Sequence, residues 1–450
     1  MLKQKFNNIT ALLREWMGNM LVRQYGKNVL WMLSARFFWI ISAFTVGIYA
    51  ARRLGPYRLG LLNYAIAFTG LLAIIASMNL GDFVIRQLVN HPERRDRILG
   101  NFFMLRLILF VIMGAILGAA LFFFNIAPEI RQLCVILGIG YLGFTMQGCA
   151  LYFQARVESK YYAIAQLAAC LTSNVIRGCA AWYEWPLVYF AAAEASINLI
   201  SFGGCLPFFL WRAGSPLRWN FAWKEIRQLL FVAWPLAIRS IFSLVYAQTD
   251  QLMLKYFLGA QSVGYYSLAT RFTENWALFI SLLSVSFFPA IIGASKISPE
   301  AYRKQLHRLY FLVFWSMAAA AGVTVLLGYP FILLLYGRPF LPAVPVLYIY
   351  VWSLLGTSLL AVFCQWAINE KRLVMIGWAL GTGTLINVIL NPLLIKAIGI
   401  TGAAWSTLLS MPLGLALTLF CSRCGREHIV LMLRSIFTIP SFRLDKQNTA

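Results

Sequence analysis

The sequence predicts an all-α polytopic membrane protein with about twelve transmembrane helices. Hydrophobic residues make up 61% of the 450 residues, and charged residues only 12%. The mean hydropathy is +0.73. A soluble chain of this length needs a more polar surface to stay dispersed. A bilayer core of ~30 Å requires about 20 apolar residues per helical span, and twelve such spans fit the apolar fraction.

Apolar runs separated by charged segments define the individual spans. The predicted spans are 29–50, 61–80, 101–124, 131–154, 162–183, 186–211, 229–249, 262–293, 310–336, 344–368, 372–394 and 397–421. Six spans precede and six follow a basic segment at 212–228, which is the predicted cytoplasmic linker. We therefore expect an N-lobe at 29–211 and a C-lobe at 229–421, with both lobes in the same orientation.

Lysine and arginine residues are distributed unequally between the two sides of the predicted spans. The termini and the loops after even-numbered spans hold 26 of them, and the loops after odd-numbered spans hold 7. Because cytoplasmic loops carry the excess of positive charge, this bias places both termini in the cytoplasm. Residues 1–28 lack a cleavable apolar stretch and have apolar residues on one helical face, which predicts an amphipathic helix on the membrane surface. Residues 422–450 form the predicted cytoplasmic tail.

The formal charge of +23 does not indicate a nucleic-acid partner, because the cations lie in short segments between apolar runs. Most of the eight cysteines lie inside apolar runs, where cysteine behaves as a small hydrophobe. Cys421 and Cys424 form a C-x-x-C pair with no second pair or histidine cluster nearby, so a zinc or redox site is not expected. No enzyme signature is present. We expect no catalytic residue, no metal and no cofactor.

A short internal repeat links the two halves. Leu54–Thr69 aligns with Leu258–Thr273 at a constant offset of 204 residues, with six identities in sixteen positions. Each copy lies between the first and second span of its half. Chance similarity between apolar segments is the alternative. Parallel repeats about an axis along the membrane normal are a known plan of transporters.

Charged residues inside spans are costly, and they usually face a cavity or a partner. Five arginines lie in predicted spans: Arg36, Arg106, Arg177, Arg239 and Arg271. Glu194 lies in the sixth span and Glu274 in the eighth, and Asp250 lies at the outer end of the seventh. This excess of arginine suits a polyanionic head group such as a pyrophosphate, because the guanidinium fork binds phosphate oxygens in pairs.

Each of these residues also has a structural interpretation. Arg271 and Glu274 share a helical face and would neutralise each other. The Arg36 side chain could instead snorkel to the cytoplasmic interface. For Arg106, snorkelling to this interface is what we expect. Arg177 would pair with Glu194, at a comparable depth.

The functional interpretation assigns a role to each candidate. Substrate-binding candidates are Arg36, Arg177, Arg239 and Arg271. Glu274, Glu194 and Asp250 are candidates for ion coupling or charge pairing. Trp39, Tyr246 and Trp276 are candidates for stacking on sugars, although aromatic belts at the membrane interfaces account for many tryptophans and tyrosines.

Several motifs together resemble the polysaccharide transporter family. The first is the run Ala51-Arg52-Arg53-Leu54-Gly55-Pro56-Tyr57-Arg58-Leu59-Gly60. The later landmarks are Asp250–Gly259, Gly264–Ala269, Leu335-Tyr336-Gly337, Asn387 and Gly399–Ala404. They cover nearly the whole chain in the order that is typical of this family.

The resemblance implies a MATE-like fold of the MOP superfamily, with two parallel six-helix lobes, in the bacterial inner membrane. Members of the Wzx-type branch flip undecaprenyl-pyrophosphate-linked oligosaccharides for the synthesis of O-antigen, lipopolysaccharide or exopolysaccharide. By resemblance, Arg36 and Arg271 match arginines that contact the lipid phosphate. Implied partners are this substrate, membrane lipids, and the polymerase and chain-length proteins of the pathway. A drug or organic-cation exporter of the same fold and a membrane glycan polymerase or ligase are the alternatives.

Overall fold

The computed structural model describes residues 20–78, 80–124, 126–216 and 219–438. The predicted amphipathic helix rests mainly on residues 6–17, which lie outside these ranges, as does the end of the predicted tail at 439–450. Every regular element within the described ranges is helical. All twelve predicted spans coincide with helices.

Within the described ranges, the first half of the chain forms eight α-helices and part of a ninth. They are α1 Met20–Ser77, α2 Gly81–Asn90, α3 Arg95–Phe123, α4 Pro128–Gly140, α5 Gln147–Ala155, α6 Lys160–Trp182, α7 Leu187–Gly203, α8 Leu206–Ala213 and α9 Trp223–Leu258. The second half continues with α10 Ala260–Ile297, α11 Pro299–Leu335, α12 Ala343–Tyr350, α13 Ser353–Asn369, α14 Leu373–Ile398, α15 Ile400–Phe420 and α16 Arg423–Phe437.

Eight candidate spans in the described part of the chain are long and apolar enough to cross a membrane. The prediction of an all-α polytopic membrane protein is confirmed. Three predicted spans are interrupted rather than continuous. A turn at residues 204–205 divides span 186–211 into α7 and α8. A 3₁₀ segment at Tyr141–Met146 divides span 131–154 into α4 and α5, and a turn divides span 344–368 into α12 and α13.

The chain divides into two units. The first comprises residues 1–54 and 68–240, and the second comprises residues 55–67 and 241–450. The change from one to the other falls inside α9, whereas the sequence places the linker at 212–228. The lobe bounds 29–211 and 229–421 stay predictions about the transport lobes.

Within the first unit, aromatic and aliphatic side chains of α2, α3, α5 and α8 form the core. Leu80, Leu99, Phe102, Phe153 and Phe209 are all buried in it. In a bilayer, close van der Waals packing of this kind holds helices together, because lipid tails are as apolar as the buried side chains.

Within the second unit, α10, α11, α13, α14, α15 and α16 pack around a larger core that includes Val313, Phe363 and Leu415. Helix α16 is not among the candidate spans. Ser422 precedes its first residue, and the Ser422 hydroxyl accepts a hydrogen bond from the Gly425 amide at 3.0 Å. This side-chain cap satisfies one of the free amides of the first turn.

Two glycines at equivalent repeat positions make the sharp connections between paired helices. Gly55 has φ +70° and Gly259 has φ +87°, with ψ near 170° at both. Side chains with a Cβ rarely adopt this left-handed conformation. Each predicted connection therefore needs little more than one residue, and the non-helical backbone of Gly55 separates two helical segments within α1.

The two repeat copies pack directly against each other in the second unit. A Cβ at Gly60 would overlap the carbonyl of Ala260, and a Cβ at Gly264 would overlap the carbonyl of Pro56. Gly60 and Gly264 are 204 residues apart, as are Pro56 and Ala260. The repeat predicted from the sequence is thus reproduced in backbone conformation and in contacts.

Candidate functional site

Arg271 lies beside the contact between the repeat copies. Its guanidinium donates a hydrogen bond to Asn63 Oδ1 at 3.0 Å, and Asn63 Nδ2 donates to Ser267 Oγ at 2.7 Å. The Arg271 side chain is otherwise exposed. A guanidinium has five N–H donors, so most of its hydrogen-bonding capacity is left for a ligand.

Glu274 does not neutralise Arg271 by direct contact. Among the described residues, neither side chain takes part in an ion pair within 4.0 Å. The structural alternative for Arg271 and Glu274, a salt bridge on one helical face, is therefore not what the structure contains. Arg271 is oriented by an amide instead.

The other candidate arginines have different surroundings. Arg36 is exposed, and its guanidinium carbon lies 5.1 Å from the centre of the Trp39 ring, which is 42% exposed. Arg239 falls within α9, but its side chain lies outside the described part of the chain. Arg177 forms an ion pair with Glu194, as the sequence predicts. Arg177 therefore has a charge partner within its own unit.

The prediction that Arg106 reaches the membrane interface is wrong. Its side chain is 1% exposed. The guanidinium donates to the Ala76 carbonyl and, at 2.7 Å, to Gln147 Oε1. Ala76 lies at the end of α1 and Gln147 at the start of α5, so Arg106 satisfies polar groups at two helix breaks. Free backbone carbonyls inside an apolar core are costly, and this is the physical reason for the arginine's position.

Asp250 is the centre of a buried polar network in the second unit. Its carboxylate accepts hydrogen bonds from the Tyr266 hydroxyl, from Thr407 Oγ1 at 2.6 Å and from Asn391 Nδ2 at 2.6 Å. No lysine or arginine of the described ranges forms an ion pair with it. A buried carboxylate without a cationic side chain requires a proton or a bound cation.

The same network contains an acceptor oxygen without a hydrogen-bond partner. Asn391 Oδ1 is buried and accepts no hydrogen bond from the described residues. Asn391 Nδ2 also donates to Asn387 Oδ1 at 3.0 Å. Within the described residues, no group of three or more His, Cys, Asp and Glu side chains is placed to hold a metal. One carboxylate among neutral oxygens suits a monovalent cation better than a divalent one, because hard divalent cations favour several charged oxygens.

The two sugar-stacking candidates of the second unit pack against its hydrophobic core. Tyr246 and Trp276 are partly buried there, and the Tyr246 hydroxyl donates to the Thr407 carbonyl at 3.1 Å. The eight cysteines are all free thiols, including Cys421 and Cys424. A sugar-stacking role stays a prediction for Trp39, Tyr246 and Trp276.

The sequence matches the family described as polysaccharide biosynthesis protein over residues 25–295, which is more than half of the chain. The chain belongs to the polysaccharide biosynthesis protein family. The match includes both repeat copies, Arg36, Asp250 and Arg271. The membership predicted from the sequence motifs is confirmed. Among curated proteins no match is found.

Solved structures of the MOP superfamily share the fold of this polysaccharide biosynthesis protein. An inward-facing multidrug resistance MATE transporter has a TM-score of 0.73 at 12% identity, over 88% of this chain and 96% of that one. The lipid II flippase MurJ in an inward closed conformation gives 0.69 at 15% identity, over 91% of both chains. A MOP superfamily transporter from Pyrococcus furiosus, described as having a binding pocket of reversed polarity, gives 0.58 at 12% identity, over 91% and 95%.

Sequence reasoning missed most of the residues around Asp250 in this family member. Asn387 and Tyr266 belong only to the family landmarks, and no prediction was made for Asn391 or Thr407. A usable signal was present, because two asparagines four residues apart in an apolar span share one helical face. The hydroxyl partners come from distant helices, and no local pattern indicates them.

Proposed function

We propose that the chain is a flippase that moves undecaprenyl-pyrophosphate-linked oligosaccharide repeat units across the bacterial inner membrane by alternating access. The glycans made from these units would be O-antigen, lipopolysaccharide or exopolysaccharide. Membership of the polysaccharide biosynthesis family and the fold of MOP transporters support this proposal. The chain acts as a transporter in this proposal and not as an enzyme.

The cargo assignment rests on the surroundings of the Arg271 side chain. An arginine in an apolar helix, oriented by Asn63 and without a carboxylate partner among the described residues, is prepared to bind an anion. A pyrophosphate diester carries two negative charges and several acceptor oxygens, which match the guanidinium fork. Arg36 is the corresponding candidate in the first unit. Arg177 is a weaker candidate, because Glu194 already engages it.

An exporter of organic cations is the second function to consider. Its binding site would need unpaired acidic side chains to attract the cargo. Of the three acidic candidates, Glu194 is paired with Arg177, and Asp250 is enclosed by Tyr266, Thr407 and Asn391. Only Glu274 is exposed and free of an ion pair among the described residues. These surroundings favour the anionic cargo.

In this proposal Asp250 couples transport to a cation, either sodium or a proton. A carboxylate, two amide oxygens and two hydroxyls converge there, and one of the amide oxygens has no partner. The cytoplasmic position of both termini is part of the same proposal and rests on the 26-to-7 bias of lysine and arginine. A reporter fused after residue 220 should therefore report a cytoplasmic location, and an outside signal would reverse the assignment.

Substitution of Arg271 tests the cargo. Arg271→Ala should abolish surface glycan and trap lipid-linked repeat units on the cytoplasmic leaflet, with normal amounts of protein in the membrane. Arg271→Lys should restore only part of the activity, because lysine offers a point charge rather than a fork. Arg303→Ala, at an exposed arginine of α11, is the matched control. Full surface glycan in Arg271→Ala, or loss of resistance to cationic dyes with surface glycan intact, would reject the flippase.

A further inference from the structure

A cavity of about 900 Å³ lies within the first unit, and neither Arg36 nor Arg177 lines it. We name it the basic cavity. Its lining residues come from α2, from the segment that leads into α3, from the start of α3 and from the first turns of α9. Its volume is in the range of pockets that hold small organic ligands.

The charge of the basic cavity is strongly positive. Four cationic residues line it: Arg94, Arg97, Lys224 and Arg227. The acidic side chain in its lining is Glu225, which pairs with Arg97 at 2.8 Å and accepts a hydrogen bond from Asn101 at 2.6 Å. Arg94, Lys224 and Arg227 form no ion pair with any carboxylate of the described ranges.

Contacts between α3 and the segment at the start of α9 hold the walls of the cavity in place. Asn101 is 2% exposed, and its Oδ1 accepts a hydrogen bond from the Ala222 amide at 2.7 Å. A Cβ at Gly100 would overlap the backbone of Asn220. Both α3 and α9 begin at the cavity, so the positive ends of two helix dipoles add to its cationic side chains.

Apolar side chains occupy the remaining wall. Phe83, Ile98 and Phe231 line the cavity together with the cations, and Phe231 is 83% exposed. A free metabolite phosphate would gain little from such a wall. A phosphate ester that carries acyl chains would place its head group among the cations and its chains along the aromatic rings.

We infer that the basic cavity binds the head group of an anionic phospholipid from the surrounding leaflet. The site lies at helix ends and is built by one unit alone, whereas a transported molecule must reach a site from each side of the membrane in turn. The occupant is therefore a resident lipid rather than the cargo. By bridging Arg94 on one segment and Lys224 and Arg227 on another, it would hold the start of α9 against the start of α3. This inference does not rest on the identity of the cargo.

Lipid titration of the purified full-length protein in detergent tests the inference. Native mass spectrometry should show binding of phosphatidic acid and phosphatidylglycerol, but not of zwitterionic phosphatidylcholine. The triple variant Arg94→Gln, Lys224→Gln, Arg227→Gln should bind the anionic lipids at least tenfold more weakly. A control triple variant, Arg86→Gln, Lys296→Gln, Arg426→Gln, removes the same charge at exposed positions outside the cavity and should bind like the original protein.

Several outcomes would overturn the inference. Equal binding of phosphatidylcholine would mean that charge does not select the lipid. Unchanged binding in the cavity variant, checked for folding by size-exclusion chromatography, would place the lipids elsewhere. Competition by glycerol 3-phosphate at the same concentration as phosphatidylglycerol would indicate a soluble phosphate as occupant. Displacement of bound phosphatidylglycerol by equimolar undecaprenyl pyrophosphate would assign the cavity to the transported lipid.

Discussion

Asn63 and Ser267 occupy equivalent positions of the internal repeat, 204 residues apart, and the amide of one donates a hydrogen bond to the hydroxyl of the other at 2.7 Å. Gly60 and Gly264 face each other in the same way. The conformations of Gly55 and Gly259 match as well. Chance similarity between apolar segments does not explain why aligned residues share a backbone conformation and contact their own counterparts.

The contact between the repeat copies should depend on its glycines. Gly264→Ala places a methyl group against the Pro56 carbonyl, and overpacking of this kind typically costs about 1–3 kcal/mol. Gly322→Ala is the matched control, because Gly322 has open space around it in a helix of the same unit. In thermal unfolding in detergent, the midpoint of Gly264→Ala should be clearly lower than that of the original protein. The midpoint of the control variant should not be lower. Equal unfolding midpoints for the two variants would mean that the repeat copies can move apart without loss of stability.

Asp250 should control the response of transport to ion gradients. Asp250→Asn keeps the side-chain shape but removes the charge that attracts a cation. In proteoliposomes loaded with lipid-linked glycan, the gradient-driven transport rate of this variant should be at least tenfold lower than that of the original protein. Glu274→Gln serves as the comparison, since Glu274 is exposed and without an ion pair in the described residues. If Glu274→Gln loses the gradient response and Asp250→Asn keeps it, the coupling site is on α10 instead.

His428 should make the docking of α16 sensitive to pH. Its Nε2 lies 2.7 Å from the Tyr310 hydroxyl, and its ring stacks on Trp366 with centres 4.0 Å apart. Burial lowers the pKa of His428 from 6.5 to about 3. Between these values the unfolded state binds the additional proton, so stability is complete above pH 6.5 and falls as the pH approaches 3, by at most about 1.4 kcal/mol per pH unit.

The unfolding midpoint of the original protein should therefore decrease between pH 7.5 and pH 5. His428→Gln should decrease less, because glutamine has no proton to gain. His91→Gln, at an exposed histidine of the first unit, should retain the full decrease. A His428→Gln variant with an undiminished pH response would show that other groups dominate the titration.

Much of the fold follows from local patterns. Apolar runs of membrane length predict the helices, and the offset of 204 residues predicts the paired glycines. The helix breaks at Tyr141–Met146, between α7 and α8 and between α12 and α13 were not predicted, since a break leaves the apolar content of a span unchanged. Arg106 was assigned to the interface for a related reason. Sequence position gives depth along a helix, but the carbonyl at Ala76 that the guanidinium satisfies becomes free only where α1 ends.

The contacts of the candidate site likewise fall into those that a sequence pattern predicts and those that it does not. The pairing of Arg177 with Glu194 could be predicted because both charges lie at similar depth on adjacent spans. The hydrogen bond from Arg271 to Asn63 could not, because their separation of 208 residues gives no local pattern. The position of Asp250 among Tyr266, Asn391 and Thr407 also depends on helices that meet only in the folded unit.

The glycine contact between the repeat copies has the form of an isologous dimer interface, in which each surface meets its own equivalent. A half-length chain would form such a contact only as a homodimer, and its residue 63 would then face a second residue 63. Joining the copies in one chain frees the two sides to differ. One side keeps an amide at Asn63, and the other carries a hydroxyl at Ser267. The Asn63 amide donates a hydrogen bond to the Ser267 hydroxyl, and the Asn63 amide oxygen accepts a hydrogen bond that orients Arg271. A symmetric pair of half-chains would place such an arginine twice, whereas the fused chain provides it once.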